Sequence, residues 1–575
     1  MKKRSESGEL DASRFRGRSR LVALAVLTAA LLLGGRAVQL QVLDREFLAQ
    51  EGGKRYLRDA RVPAHRGAIL DRFGEPLAVS APVDTVIANP QVLATSPEDI
   101  VRLAQALGQD RQWLAQRIAA NHDRQYYRVE RHMEPGAAAK IRDLGIPGVY
   151  LEREYKRYYP NGEITGHLLG FTNLDEDGQG GLELAFDGTL SGMDGLKRVI
   201  KDARGRTIEN VANLRAPRPG EDLHTSLDLR VQYLAYRELK AAVQRHRARS
   251  GSLIVLDVQT GEVLAMVNQP AFNPNDRSRL GEVARYRNRA VTDIIEPGSS
   301  IKPFIVAAAL DSGSYRRDSV IDTSPGLLKV GDKIVKDPHD LGRAGLDMIL
   351  SRSSNVGMAK LALKLEPEEI HRTLAAFGFG QVTASGFPAE SPGLLSEAAR
   401  WRPINVATLS YGYGMSATPL QIVQAYATLG ALGMRRPVTF QRVDKPVSGT
   451  RVVSAAVARD LVGLLAGVVT VGGTAQQARV PGYRVSGKTG TAWKAVGGGY
   501  NTNRYTAIFA GLAPASNPRL AALVLLDEPS AGKYYAGDVA APVFASVMSG
   551  ALRLMGIPPD DLTDVAQPTT AQVRP

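Results

Sequence analysis

The chain has 575 residues, 44% of them hydrophobic, which is more than one hydrophobic core can organise, so two or more domains are expected. It contains no cysteine, which excludes a disulfide scaffold and a thiolate metal site and leaves no thiol hazard in an oxidising compartment. The net charge is +14, but beyond the N-terminus the basic residues are dispersed and no zinc-finger or RNA-binding pattern accompanies them. A solvated basic surface suited to an anionic polymer is expected, and a nucleic-acid partner is not.

Residues 1–20 hold seven Lys or Arg against three acids and read as a basic cytoplasmic tail. Leu21 to Gly35 is a run of fifteen uncharged, mostly apolar residues; as a helix it spans about 22 Å, short of a hydrocarbon core of about 30 Å. If Arg36 snorkels and the helix continues to Leu43, the length reaches about 35 Å, so 21–43 is expected to be a transmembrane anchor. A cleaved signal peptide has an apolar region of similar length, but no small-x-small site follows here, which favours an anchor that is retained. The basic flank then stays in the cytoplasm and everything after residue 44 is exported.

Residues 44–220 read as a separate, structural region. Arg61 to Ser80 opens on a Pro-containing extended segment and turns at Arg72-Phe73-Gly74-Glu75. Helical stretches are expected near Pro97 to Leu107 and Arg111 to Ala120, and turns at Pro160-Asn161-Gly162 and Asp175 to Gly181. Arg215 to Gly220 has the composition of an interdomain linker. In 221–555, Ser252 to Met266 reads as a β-hairpin turning at Asp257 to Gly261, helical segments follow, and Thr506 to Leu526 returns to strand-like runs. That order indicates an α+β domain, an antiparallel sheet with a helical subdomain. The polar, Pro-containing stretch 556–575 is expected to be a disordered tail.

Three strings in this second domain carry chemistry: Ser299-Ser300-Ile301-Lys302, Ser353-Ser354-Asn355 and Lys488-Thr489-Gly490-Thr491. A serine hydroxyl is a weak nucleophile at neutral pH, and a lysine can serve as its base only where burial or a neighbouring cation lowers the lysine pKa. Ser299 and Lys302 open an apolar run, Ile301 to Leu310, read as a buried helix; spacing of i, i+3 places both on one face. Pro303 lies near the helix start, where it is tolerated at the cost of one hydrogen bond at most. An isolated S-x-x-K is more often a helix N-cap with an exposed lysine, and Ser530 to Lys533 is a second copy with no helix start. The ordered set of three is what distinguishes the first. Gly482 to Thr489 also fits a phosphate-binding G-x-x-x-x-G-K-[S/T] loop, but such a loop must open a helix, and here Thr491 to Lys494 followed by three glycines reads as strand and turn.

The trio, with the string R-G-x-I-x-D-R-x-G-x-x-L-A (Arg66, Gly67, Ile69, Asp71, Arg72, Gly74, Leu77, Ala78), resembles the class B penicillin-binding proteins, and their division-specific branch most. The likeness extends to about Leu554 and takes in Glu296-Pro297-Gly298-Ser299, Tyr411-Gly412-Tyr413-Gly414 and Ala541-Pro542-Val543-Phe544. It departs at Thr489, a serine in some relatives, and at Trp493, where several carry a basic residue and where a reshaped pocket rim is expected. The resemblance implies a pedestal of dimerisation-domain type over 44–220 and a transpeptidase domain over 221–555. It also implies a single-pass protein of the bacterial inner membrane with its catalytic domain in the periplasm.

By the same resemblance, Ser299 would form an acyl-enzyme with a peptidoglycan stem peptide, and Lys302 would take its proton, although the wider superfamily leaves the base open between this lysine and other groups. Ser353 and Lys488 would pass a proton to the leaving amine, and Asn355 would bind the substrate amide. Lys488, Thr489 and Thr491 would hold the terminal carboxylate, with Gly490 and Tyr413 lining the substrate site. The backbone N–H groups of Ser299 and Thr491 would form the oxyanion hole. Implied partners are stem peptides, β-lactam antibiotics, the membrane and divisome proteins including an FtsW-type glycosyltransferase; no cofactor and no metal are implied. A β-lactamase would be smaller and lack the preceding region. A β-lactam sensor would need several spans and a zinc protease, and no H-E-x-x-H occurs. A bifunctional class A synthase would show glycosyltransferase carboxylates in its first 200 residues. The remaining rival is a paralogue serving cell elongation.

Overall fold

The computed structural model describes residues 12–48, 57–201, 207–276, 278, 282–496 and 499–561. A helix, α1 (Ala12–Val38), continues into a single π-helical turn, Gln39–Leu43. Its stretch Arg18–Leu43, of 26 residues and mean hydropathy 2.1, is long and apolar enough to cross a membrane and is not buried among the described residues. The helix starts nine residues ahead of the apolar run, because no proline interrupts Ala12 to Arg20. Arg36, the charge within the expected anchor 21–43, donates to Gln39 Oε1 at 2.8 Å, so part of its polarity is satisfied within the helix itself.

The chain divides into two compact units. One comprises the chain up to Ala64 with Pro82–Glu154 and Met193–Arg218; the other comprises His65–Ala81, Tyr155–Gly192 and the chain from Pro219. The 44–220 region is therefore not a single body. Its stretches His65–Ala81 and Tyr155–Gly192 belong to the catalytic unit, bonded to it by Leu223 N to the Ala68 carbonyl and Gln232 Nε2 to the Ile164 carbonyl, each at 2.8 Å, and joined to each other by a buried ion cluster. Glu183, fully buried, accepts from Arg66 Nε at 2.8 Å and Arg157 Nε at 2.7 Å, and Arg66 also reaches Asp187 and Ser191 at 2.7 Å each. Charges this deep persist only when each is paired and hydrogen-bonded, so the cluster fixes the crossing of these segments.

In the first unit the helices Pro97–Leu107 and Arg111–Ala120 form where the sequence places them, the second capped by Asp110, which accepts from Trp113 N at 2.8 Å. Ile100, Leu103, Leu114 and Ile118 make their shared core. The presumed linker is not loose: Met193 and Arg218 exchange main-chain hydrogen bonds of 2.8 and 2.9 Å.

The catalytic unit is built on a five-stranded antiparallel sheet of β1 (Ser250–Asp257), β2 (Val263–Gln269), β3 (Ser486–Val496), β4 (Gly499–Ala513) and β5 (Leu520–Asp527), in the order β2-β1-β5-β4-β3. Helices α2 (Leu229–Arg245) and α6 (Ala541–Leu554) pack together and on the sheet, as does α5 (Pro419–Gly430). Every residue of β1 and β2 is buried, which is why these strands read as continuous apolar runs rather than alternating ones. The β1–β2 hairpin is pinned by Asp257, which accepts from Gln259 N at 2.7 Å and Thr260 N at 3.0 Å. At the other edge, β3 has no strand neighbour beyond it among the described residues. Residues 556–561 pack on this unit through buried Ile557, whose carbonyl accepts from Tyr483 at 2.6 Å, and Asp560, which accepts from Arg484 N at 2.7 Å. The rest of the expected disordered tail lies outside the described residues.

Candidate active site

Ser299 sits in a 3-10 turn, Gly298–Ile301, that runs into α3 (Lys302–Asp311). The helix is apolar all round and buried from Lys302 to Ala309, so its position is fixed by packing: Phe304 lies against Phe377 and Tyr426 at ring distances of 4.8 and 5.4 Å. Tyr426 donates its hydroxyl to the Ser300 carbonyl at 2.9 Å, tying the turn itself to α5. Pro303 occupies the first turn of α3, where the N–H it lacks has no partner in the α3 ladder. Gly412, at φ +91°, lets the Tyr411–Gly414 loop close on the turn: a Cβ there would overlap the Gly298 carbonyl.

Lys302 Nζ donates to the Ser353 carbonyl (2.6 Å), Asn355 Oδ1 (2.8 Å), Ser353 Oγ (3.1 Å) and the Ser354 carbonyl (3.3 Å). Burial pushes its pKa well below the ordinary lysine value, the nearby Lys488 charge pushes the same way, and Asp337 opposes both. Ser353 is held at φ +61°, a conformation that costs a non-glycine residue of order 1–3 kcal/mol and collects at functional sites. Here it turns both the carbonyl and the hydroxyl of one residue onto Lys302. Among the described residues nothing hydrogen-bonds the Ser299 hydroxyl, so the expected Ser299–Lys302 contact is not a hydrogen bond in this state. Four oxygens compete for Nζ. Such bonds are often long without substrate and tighten in the reacting complex.

From the opposite side Lys488 Nζ, on edge strand β3, donates to the same Ser353 Oγ at 2.9 Å. It is fully buried, and that burial lowers its pKa to about 7. Two ammonium groups would thus share one hydroxyl, an arrangement whose mutual repulsion favours loss of a proton from the pair. Thr489 Oγ1 bonds Thr474 Oγ1 at 2.9 Å, and Thr491 Oγ1 accepts from Ala536 N at 3.1 Å. Gly490 must be glycine: a Cβ would lie 2.7 Å from the Pro297 carbonyl oxygen and 3.3 Å from Ser300 N, in the slot between strand and turn. Tyr413 reaches the same strand, its hydroxyl accepting from Trp493 N at 3.3 Å. Lys302, Ser353, Asn355 and Lys488 are therefore joined directly by hydrogen bonds, and Gly490 packs against the Ser299 turn.

Sequence reasoning missed Asp337 and Ser354. Asp337 accepts from Asn355 N at 2.5 Å, Val356 N at 3.1 Å and the Ser354 hydroxyl, capping α4 (Asn355–Ala362). Ser354 was legible as an N-cap, since its Oγ accepts from Gly357 N at 2.8 Å in the usual spacing. Asp337 had no signal, because its partners lie 17 to 19 residues away. The second S-x-x-K takes no part: Ser530 donates to the Arg247 carbonyl at 3.0 Å in a loop, and Lys533 is exposed. Lys488 lies within a strand, so the phosphate-loop reading also falls.

This combination is a known one. The family described as "Penicillin binding protein transpeptidase domain" matches residues 251–549, and "Penicillin-binding Protein dimerisation domain" matches residues 61–225. The chain belongs to the penicillin-binding protein transpeptidase family. It is 42% identical over 543 residues to the peptidoglycan D,D-transpeptidase FtsI of Escherichia coli (strain K12), covering 94% of this chain and 92% of that one. It is 40% identical over 548 residues to the probable peptidoglycan D,D-transpeptidase PbpC of Pseudomonas aeruginosa PAO1, covering 95% and 96%. Among solved structures, the transpeptidase domain of Burkholderia pseudomallei penicillin-binding protein 3 superposes with a TM-score of 0.54 at 39% identity, covering 58% of this chain and 97% of that one. A Bifidobacterium adolescentis peptidoglycan synthetase does so with 0.69 at 26% identity, covering 88% and 98%.

Proposed function

We propose that this protein is a peptidoglycan D,D-transpeptidase that cross-links stem peptides at the division septum and is a target of β-lactam antibiotics. The observation that carries the reading is the meeting of two buried lysines, from α3 and β3, on the single hydroxyl of Ser353 beside the Ser299 turn. Ser299 Oγ attacks the carbonyl carbon between the two terminal D-alanines, and its proton passes to Lys302 in the neutral form that burial favours. The C–N bond breaks, the last D-alanine leaves as an amine after taking a proton through Ser353, and an ester on Ser299 remains. An amine of a neighbouring stem peptide then attacks the ester, forming the cross-link amide and returning the proton to Ser299. Asn355 holds the substrate amide; Lys488, Thr489 and Thr491 hold the terminal carboxylate, an anion that one cation and two hydroxyls suit. The free edge of β3 and the N–H of Ser299 supply backbone donors for an extended peptide and its oxyanion.

Helix α1 anchors the chain with its basic end in the cytoplasm and the catalytic unit in the periplasm, where an FtsW-type glycosyltransferase of the divisome supplies glycan strands. The likeness to a protein named FtsI favours division over elongation. Depletion decides between them: filaments support the septal role, and round cells make this an elongation enzyme. Protease added to spheroplasts should digest nearly all of the chain beyond residue 44; release of a soluble form by signal peptidase would overturn the anchor.

A further inference from the structure

The slot between the Ser299 turn and β3 has to stay open for a peptide, and among the described residues no main-chain hydrogen bond joins the two. Apart from the packing of Gly490 on the turn, side chains must hold its width. Glu296, three residues before the nucleophile, is placed to do so. Its Oε1 accepts from Gly414 N at 2.9 Å and from the Tyr500 hydroxyl at 3.0 Å. Gly414 ends the loop whose Gly412 carbonyl accepts from Gly298 N at 3.2 Å and whose Tyr413 hydroxyl accepts from Trp493 N on β3. Tyr500 lies on β4, paired with Ala495 of β3, and its ring meets that of Tyr413 at 5.2 Å, edge to face. One carboxylate oxygen therefore binds all three walls of the slot: the nucleophile turn by the chain itself, the Tyr411–Gly414 loop by Gly414, and the β3–β4 hairpin by Tyr500. Its other oxygen, Oε2, is buried with no partner among the described residues. Leaving a buried carboxylate oxygen unpaired is costly, a cost that the two bonds of Oε1 must offset.

We propose that Glu296 is a positioning residue for acyl transfer, setting the distance between the Ser299 turn and the substrate-binding edge of β3 by clamping the Tyr411–Gly414 loop and the β3–β4 hairpin to one oxygen. It touches no substrate atom. Its effect is on geometry at the reacting centre, where a misplacement of about 1 Å costs on the order of a hundredfold. What the clamp requires is an acceptor oxygen at this point, which an amide also provides, so charge is not the essential property.

The inference rests on Ser299 being the nucleophile, and the test separates the two. Acylation by a fluorescent penicillin, followed in the full-length protein in detergent, resolves the non-covalent dissociation constant from the rate constant of the covalent step. Glu296→Ala is expected to slow the covalent step about ten- to a hundredfold while changing the dissociation constant less than about threefold. Glu296→Gln should restore the rate to within about threefold of wild type, since its Oε1 still accepts both bonds. Tyr500→Phe, which keeps the half-exposed ring and removes only the hydroxyl, should slow the step several-fold and add nothing in the Glu296→Ala background, because both act through the same bond. Wild-type acylation kinetics in Glu296→Ala would overturn the proposal, as would a Gln variant as slow as the Ala variant, or a loss confined to the dissociation constant. If Glu296→Ala does not fold, Tyr500→Phe decides in its place: a variant that acylates like wild type sinks the clamp. Absence of any Ser299 adduct in wild type would instead bring down the underlying assignment.

Discussion

Removing the carboxylate of Asp337 perturbs the site through the backbone of Asn355 and the charge felt by Lys302. Asp337 is the acceptor for Asn355 N, Val356 N and the Ser354 hydroxyl, so it anchors the helix start that carries the second motif. Asp337→Asn keeps one oxygen for the two N–H donors and turns its amide toward Ser354; what is lost is the negative charge at a helix N-terminus, about 0.3–1 kcal/mol. Asp337→Ala leaves three donors without an acceptor at roughly 1 kcal/mol each or more, about 3 kcal/mol in all. The sign of the catalytic effect follows from Lys302, whose pKa Asp337 raises against burial and Lys488. Without that charge the pKa falls further, the neutral base persists to lower pH, and the acidic limb of the acylation profile moves to lower pH in Asp337→Asn. Penicillin acylation rates across pH, with thermal unfolding midpoints measured alongside, give both numbers. A limb that moves to higher pH, or an Asp337→Ala variant with wild-type rate and stability, would refute the reasoning.

In the wild type, acylation should rise with pH, because the base must be neutral. That rise follows Lys302, whose pKa burial and the Lys488 charge lower, while above about 7 loss of the Lys488 charge that holds the carboxylate should weaken binding; stopped-flow acylation across pH separates the two. The depressed Lys488 pKa makes the unfolded chain bind the extra proton between about 7 and the ordinary 10.5, so stability should rise with pH there, and Lys488→Met should flatten the slope in denaturant titrations. Lys302→Ala should abolish acylation, whereas Lys488→Ala should chiefly weaken recognition of substrates bearing the carboxylate, with a smaller loss of rate; wild-type acylation by Lys302→Ala removes that lysine as base. Gly490→Ala should fold but block the slot, lowering acylation by on the order of a hundredfold, since its Cβ would lie 2.7 Å from the Pro297 oxygen.

What could be read in advance follows a physical line. The apolar α3, the Asp257 hairpin and the helices at Pro97 and Arg111 depend on near neighbours, and local pattern sufficed for them. The Ser299, Ser353 and Lys488 motifs were legible because chemistry restricts the residue types that can do this work. What the sequence does not display is pairing across long separations. Asp337 with Asn355, Glu296 with Tyr500, and Arg66 with Glu183 join residues 18, 204 and 117 positions apart. The joining of His65–Ala81 to Tyr155–Gly192 within the catalytic unit uses such a pairing, which no local composition records.

The central claim is that Ser299, and not the second S-x-x-K serine, forms the acyl-enzyme. Intact-protein mass spectrometry after penicillin treatment, with peptide mapping of the adduct, tests it directly. The account predicts one adduct on Ser299, absent in Ser299→Ala and retained in Ser530→Ala. An adduct that survives Ser299→Ala, or that disappears with Ser530→Ala, would contradict it.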